Sequence, residues 1–272
     1  MNKRSIRNVD VSGKTVLVRV DFNVPMRDGE ISDDSRIKAA LPTLNLLKDG
    51  GAKIVVCSHF GRPKGQVVED MRLGAVRERL SELLGVQVQN AGGPNGDEPV
   101  QVVSQLGVGE FALLENLRFD PGEEANDAEF SMHLASLADI YVNDAFGAAH
   151  RAHASTVGIA DHLPAYAGLL MERELEMLGN SLDSSKGPTV AIVGGAKVAD
   201  KIQVLRHLAE KVDTILVGGG MVAAFFAARG NSGGAATVTD EDLNAAKMLL
   251  DSRGANVVLP ADVVTASEFD QD

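Results

Sequence analysis

The chain has 272 residues, a formal charge of −12, 44% apolar and 24% charged residues: a soluble globular composition with room for one large or two ordinary domains. Its acidic balance argues against nonspecific binding to nucleic acid or acidic membranes, although at a cleft the local field outweighs net charge. A single cysteine, Cys57, excludes an internal disulfide and suits a reducing compartment. The opening Met1-Asn2-Lys3-Arg4-Ser5 lacks the apolar run of a signal peptide, and no segment approaches bilayer length, so the cytosol is the expected location.

Short β-branched runs alternate with longer helical patterns along the whole chain. The first strand is expected over 15–20, followed by Val20-Asp21-Phe22-Asn23-Val24-Pro25. Asp21 and Asn23 at alternate positions can both face a ligand, or form an Asx turn ahead of Pro25; on these residues alone the turn is favoured. Arg36 opens a helical pattern over 37–48 and by itself reads as a solvated surface arginine, while Pro42 predicts a kink or a helix start there. A strand over 53–57 ends at Cys57, read as a buried, inert thiol. Beyond it, Ser58-His59-Phe60-Gly61-Arg62-Pro63-Lys64-Gly65 suits phosphate recognition: Arg62 offers bidentate hydrogen bonds and His59 a further donor. A plain basic turn fits that stretch about as well.

A helix over 73–84 and a strand over 111–114 lead to Glu115-Asn116-Leu117-Arg118-Phe119, where the strand-end position gives Arg118 its weight. A helix over 127–137 and a strand over 140–143 precede Asp144-Ala145-Phe146-Gly147-Ala148-Ala149-His150-Arg151-Ala152-His153. His150 and His153 have no cysteine or carboxylate partners at ligand spacing, so no metal site is expected and ligation of an anion fits better. Ligands of open parallel sheets sit beyond the carboxyl ends of the strands. One face is therefore expected to gather Arg62, Arg118, Arg151, His59, His150 and His153 into a cationic cluster for a small, strongly anionic ligand, most simply a phosphorylated carboxylate.

A helical pattern over 169–182 then reaches the polar, breaker-rich Asp183-Ser184-Ser185-Lys186-Gly187-Pro188, a domain boundary. A strand over 189–193, the turn Gly194-Gly195-Ala196-Lys197 and a helix over 198–209 aim backbone N–H groups at an anion, with Lys197 and Lys201 on consecutive turns. Helix–sheet packing with surface lysines is the alternative. Gly218-Gly219-Gly220 repeats the arrangement between a strand over 214–217 and a helix over 221–228, either for a planar ligand or for packing. The Asn231-Ser232-Gly233-Gly234 turn, a helix over 240–250 headed by Asp240-Glu241-Asp242, and a strand over 256–259 follow. Continuous apolar strands imply burial on both faces, and the β–α alternation implies a doubly wound α/β fold. The dinucleotide and P-loop glycine patterns are both missing, which weighs against a nicotinamide-dependent oxidoreductase.

Taken in order, Val18-Arg19-Val20-Asp21-Phe22-Asn23-Val24-Pro25, Ser58-His59-Phe60-Gly61-Arg62-Pro63, Glu115-Asn116-Leu117-Arg118-Phe119, the Asp144 to His153 stretch, Gly194-Gly195-Ala196-Lys197 and Gly218-Gly219-Gly220 closely resemble the phosphoglycerate kinase family. The resemblance implies two Rossmann-like lobes with parallel sheets: 1–168 binding 3-phosphoglycerate, 169–188 as connecting helix and hinge, and 189–272 as a nucleotide lobe. It implies reversible phosphoryl transfer between ATP and 3-phosphoglycerate, giving ADP and 1,3-bisphosphoglycerate in glycolysis, with lobe closure as part of catalysis. By position, Asp21, Asn23, Arg36, His59, Arg62, Arg118 and Arg151 would hold 3-phosphoglycerate, with His150 supporting the basic patch. Gly195, Lys197, Lys201 and Gly219 would lie at the nucleotide, and Arg36 and Lys197 would stabilise the transferring group. Magnesium would arrive as Mg-ATP or Mg-ADP. The family continues past Asp272 with an Asn-Gly-Pro stretch, an acidic residue near the ribose and a Gly-Gly-Gly-Asp-Thr/Ser loop carrying the magnesium aspartate. The second lobe is therefore expected to be truncated, the isolated chain to be a noncatalytic 3-phosphoglycerate-binding fragment, and the full-length protein to be a monomer.

Overall fold

The structure, a computed structural model, describes residues 4–183, 187–195, 197–231, 234–251 and 256–264. Residues 184–186 of the expected boundary, Ala196, the Ser232-Gly233 turn and the segment 268–272 lie outside the described residues. The chain separates into two compact units, Met1–Glu176 and Met177–Asp272.

In the first unit the strands are β1 (Thr15–Arg19), a small antiparallel hairpin of β2 (Met26–Arg27) and β3 (Glu30–Ile31), then β4 (Lys53–Cys57), β5 (Val88–Asn90), β6 (Phe111–Leu113), β7 (Ile140–Asn143) and β8 (Ala165–Ala167). Apart from the hairpin they form one parallel sheet in the order β5-β6-β4-β1-β7-β8. Successive side chains of a strand point to opposite faces, so each central strand feeds two cores. Val16, Val18, Ile54, Val56, Ile140 and Val142 pack into one, while Leu17, Val55, Cys57, Ala112 and Tyr141 pack into the other. This accounts for the unbroken apolar runs in the sequence. From β1 the chain crosses to β4, and from β7 it crosses the other way to β8, so the sheet reverses direction between neighbours β1 and β7. A crevice opens at such a reversal, and ligands enter there.

Of the two readings of Pro42, the helix start is corrected here. Pro42 lies inside the Ser35–Asp49 helix, which begins well before it. Ile37, Ala40, Thr43, Leu44 and Leu47 of that helix are buried, and their packing offsets the hydrogen bond that proline removes. The short edge strands β5 and β8, the β2–β3 hairpin, and the helices Asp97–Gln105 and Pro121–Ala125 were not anticipated.

The second unit holds β9 (Val190–Gly194), β10 (Thr214–Gly218) and β11 (Asn256–Val258), parallel and in the order β11-β10-β9. Helices Ile202–Ala209, Val222–Ala228 and Asp240–Leu250 share with it a core around Leu205, Ile215, Val217, Met221, Phe225 and Leu249. The Leu169–Asp183 helix runs across the division between the units. Among the described residues, no helix is long and apolar enough to cross a membrane.

Candidate active site

The loops beyond β1, β4, β6 and β7 are tied to one another by specific hydrogen bonds. Asp21 Oδ1 accepts from the Asn23 backbone N–H at 3.2 Å, the Asx turn expected there, and also faces Arg36 Nη1 at 3.0 Å. The favoured turn reading of Asp21 is the one seen, and the same carboxylate also carries an arginine that the sequence pattern did not announce. Asn23 Oδ1 accepts from Gly61 N at 2.9 Å, joining the β1 loop to the β4 loop, and Arg118 Nη1 donates to Gly61 O at 2.7 Å, adding the β6 loop. Gly61 takes a φ of +60° in the left-handed region, which suits glycine.

Asn116 is the fastener that sequence reasoning passed over. It is fully buried, and its Oδ1 accepts from the backbone N–H of Phe60 and of Arg118. Its Nδ2 donates to Phe60 O and Met71 O. Both lone-pair directions and both hydrogens are used, so this amide can sit in one orientation only. The Ser58 hydroxyl plays a smaller version of the part by accepting from Phe22 N at 2.9 Å.

Electrostatically the loops are uneven. Arg62 and His150 are exposed, Arg151 is half-buried, and Arg36 points half into solvent. Arg118 is buried; desolvation draws its pKa down, and Glu124 lies 3.0 Å from its Nε. His59 is only 3% exposed, and its pKa falls to about 3, first through burial and then through the positive fields of Arg19, Arg118 and Arg151. His59 thus enters the site as a neutral ring, which corrects its place in the expected cationic cluster. His153 faces a buried carboxylate, its Nδ1 lying 3.7 Å from Glu123 Oε1. Arg19, quoted in the sequence only as part of a motif, joins through its field on His59 and a direct contact to the ring.

Asp144 does a different job at the end of β7. Its Oδ1 accepts from Leu170 N and Met171 N, at 2.9 and 3.1 Å, and so holds the first turn of the Leu169–Asp183 helix. Burial raises its pKa against these bonds. A Cβ at Gly168 would run into the same carboxylate. Cys57, buried beneath the site, has its pKa pushed by burial to about 12, as befits an inert thiol.

In the second unit, Gly195 and Gly219 bring β9 and β10 loops close together: a Cβ at Gly219, whose φ is +65°, would lie 3.1 Å from Gly195 N. Lys201 Nζ donates to Gly194 O at 3.1 Å, while Lys197 is exposed. The helix-start amides of Val198 and Ala199 are taken by Asp242 Oδ1, at 2.9 and 3.0 Å. Their expected aim at an anion is thereby corrected, and an anion at this turn must look to the lysines and the glycine backbone. At the head of its own helix Asp242 N donates to the Thr239 hydroxyl, which caps the helix and in turn donates to the Asp242 carboxylate.

The family model for phosphoglycerate kinase matches residues 6–272. The chain belongs to the phosphoglycerate kinase family. A solved phosphoglycerate kinase from Coxiella burnetii is 37% identical, with a TM-score of 0.83, over 100% of this chain and 69% of that one. Another, from Pyrococcus horikoshii, is 34% identical, with a TM-score of 0.78, over 94% of this chain and 67% of that one. The α/β fold with two parallel sheets is the two-lobed, Rossmann-like fold of this family. Its function is accordingly that of a phosphoglycerate kinase, a phosphotransferase of glycolysis.

Proposed function

We propose that the loops of the first unit bind 3-phosphoglycerate or 1,3-bisphosphoglycerate through Asp21, Asn23, Arg36, His59, Arg62, Arg118, His150 and Arg151. The single observation that carries this reading is the neutral, buried His59 in the combined field of Arg19, Arg118 and Arg151. In a chain of net charge −12, a ring touched by the Arg19 guanidinium and reached by the fields of Arg118 and Arg151 marks a local anion site. The 1–168 region is in this reading the acceptor lobe, 169–188 the connecting helix and hinge, and 189–272 the nucleotide lobe.

ATP or ADP binds at Gly195, Lys197, Lys201 and Gly219, with magnesium entering as part of the nucleotide substrate. In the ATP-consuming direction a carboxylate oxygen of 3-phosphoglycerate attacks the γ-phosphorus in line, and the bond to the β-phosphate oxygen breaks. The substrate supplies the nucleophile, so the protein's task is positioning and charge neutralisation. Arg36 on the acceptor side and Lys197 on the donor side are the residues assigned to stabilise the transferring group. Asp21 balances part of the Arg36 charge and fixes its approach. A cytoplasmic monomer completes this reading.

Arg62 is the cleanest test, because it is exposed and its removal leaves the described hydrogen-bond framework intact. Arg62→Ala is expected to weaken 3-phosphoglycerate binding at least tenfold in calorimetric titration, with ADP binding unchanged. Equal losses on both ligands would sink the assignment. A coupled ATP assay on the same 272-residue chain reads turnover directly.

A further inference from the structure

Behind the substrate face lies a buried polar chain that runs His59–Arg19–Ser155–Glu123. Arg19 is 1% exposed, and Ser155 and Glu123 are fully buried. A buried guanidinium without compensation is costly, and Arg19 spends each kind of donor on a defined acceptor. Nε donates to Ser155 Oγ at 3.0 Å, Nη1 donates to Val20 O, and Nη2 lies 3.2 Å from His59 Nδ1. Ser155 Oγ in turn donates to Glu123 Oε1 at 2.6 Å, and Ser155 N donates to Glu123 Oε2 at 2.9 Å. The Tyr141 hydroxyl pins Ser155 from a further side by donating to its carbonyl at 2.6 Å.

Every bond in this chain has a forced direction. A guanidinium donates and never accepts, so His59 Nδ1 must present its lone pair and the single ring proton must sit on Nε2. For Ser155 to accept from Arg19 its own hydrogen must point away, and the Glu123 carboxylate is what draws it away. Burial alone would raise the Glu123 pKa, but His153, Arg19 and Ser155 together bring it below the ordinary glutamate value, which keeps the group an acceptor on both oxygens. We propose that Glu123 and Ser155 are positioning residues for the acceptor site: they orient Arg19 so that His59 is held as the Nε2–H tautomer, a neutral donor for an anionic substrate. The substrate part of this statement rests on the 3-phosphoglycerate reading above; the tautomer part does not.

Glu123→Gln tests the direction of the chain at nearly constant volume. The Ser155 backbone N–H can turn nowhere else, so it claims the new amide oxygen and leaves the amide NH2 facing Ser155 Oγ. Ser155 Oγ can then accept from the amide as well as from Arg19 Nε, and its own hydrogen loses the carboxylate that fixed its direction, so the orientation of Arg19 is no longer enforced. Ser155→Ala removes the relay atom altogether and serves equally if Glu123→Gln fails to fold. The experiment labels histidine with 15N in the full chain and reads the ring shifts of His59 at pH 7, beside calorimetric titration with 3-phosphoglycerate and with ADP. The expected result is a pure Nε2–H ring in the unsubstituted chain. In the variants a mixture of tautomers is expected, with 3-phosphoglycerate affinity at least tenfold lower and ADP affinity unchanged. An Nδ1–H or protonated ring in the unsubstituted chain overturns the inference, as does a pure Nε2–H ring retained in the folded variants. Failure of the unsubstituted chain to bind 3-phosphoglycerate overturns the substrate reading instead, and the ring shifts still decide the tautomer.

Discussion

The two sheets are built from the same kind of strand and use it differently. In the first unit the central strands β1, β4 and β7 are buried on both faces, with a core on each. In the second unit β9 alternates: Ala191 and Val193 face the core, while Val190 is 52% and Ile192 81% exposed. Ile192, Leu216 and Val258 stand in register across all three strands on that outer face. A continuous apolar run therefore says that a strand can be buried twice; it does not say that both covers are in place among the described residues. The expectation of two-sided burial holds for the first sheet and is corrected for the second.

The contrast can be broken at several points, beginning with the largest effect. Phe111 on β6 is fully buried in the first core, and Phe111→Ala should destabilise the first unit by about 3–5 kcal/mol through lost burial and the cavity left behind. Urea unfolding followed by hydrogen exchange should place that loss in residues of the first unit; an equal loss in the second would mean that the two units do not unfold separately.

Acid should discriminate next. His59 has a folded pKa of about 3 against 6.5 for the free side chain, so below pH 6.5 the unfolded chain takes up a proton that the folded chain refuses. Stability of the first unit should then fall by about 1.4 kcal/mol per pH unit as pH drops from about 6.5 toward about 3. Glu123, lowered on balance although burial opposes it, acts in the same direction at the acid end. Asp144, raised by burial, acts oppositely, its contribution being full at low pH and lost as pH rises through its folded value. A flat stability profile between pH 6.5 and 4.5 would contradict the neutral assignment of His59. The smallest effect belongs to the open face. Ile192→Thr should change stability by less than about 0.5 kcal/mol, yet lower the fluorescence of a bound hydrophobic dye. A large destabilisation would mean that the face is covered.

Much of the frame was legible because it is local. Strands 53–57 and 140–143 and the helix over 240–250 were read at their observed bounds, from apolar runs and an acidic helix start. β5 and β8 were not, because three residues at a sheet edge carry no period, and Pro99 masks the helix Asp97–Gln105. The arginines of the site stood out by type and by their place after strands, whereas Arg36 drew attention only through family resemblance. The Arg19–Ser155–Glu123 chain was illegible for a different reason. Its contacts join positions 136 and 32 residues apart, and nothing in the local pattern of a serine or a glutamate announces them. Asn116 was seen as part of a motif, but its four bonds depend on how two loops and Met71 meet in space.

Position 168 shows what such geometry does to a gene. The Asp144 carboxylate occupies the space a side chain there would need, while gripping the amides of the two residues after Leu169. Even alanine must dislodge that grip, so a saturation library scored for folding should return glycine and little else at this codon. A site that touches no ligand would then look as constrained as one that does, and would mislead anyone ranking functional residues by tolerance alone.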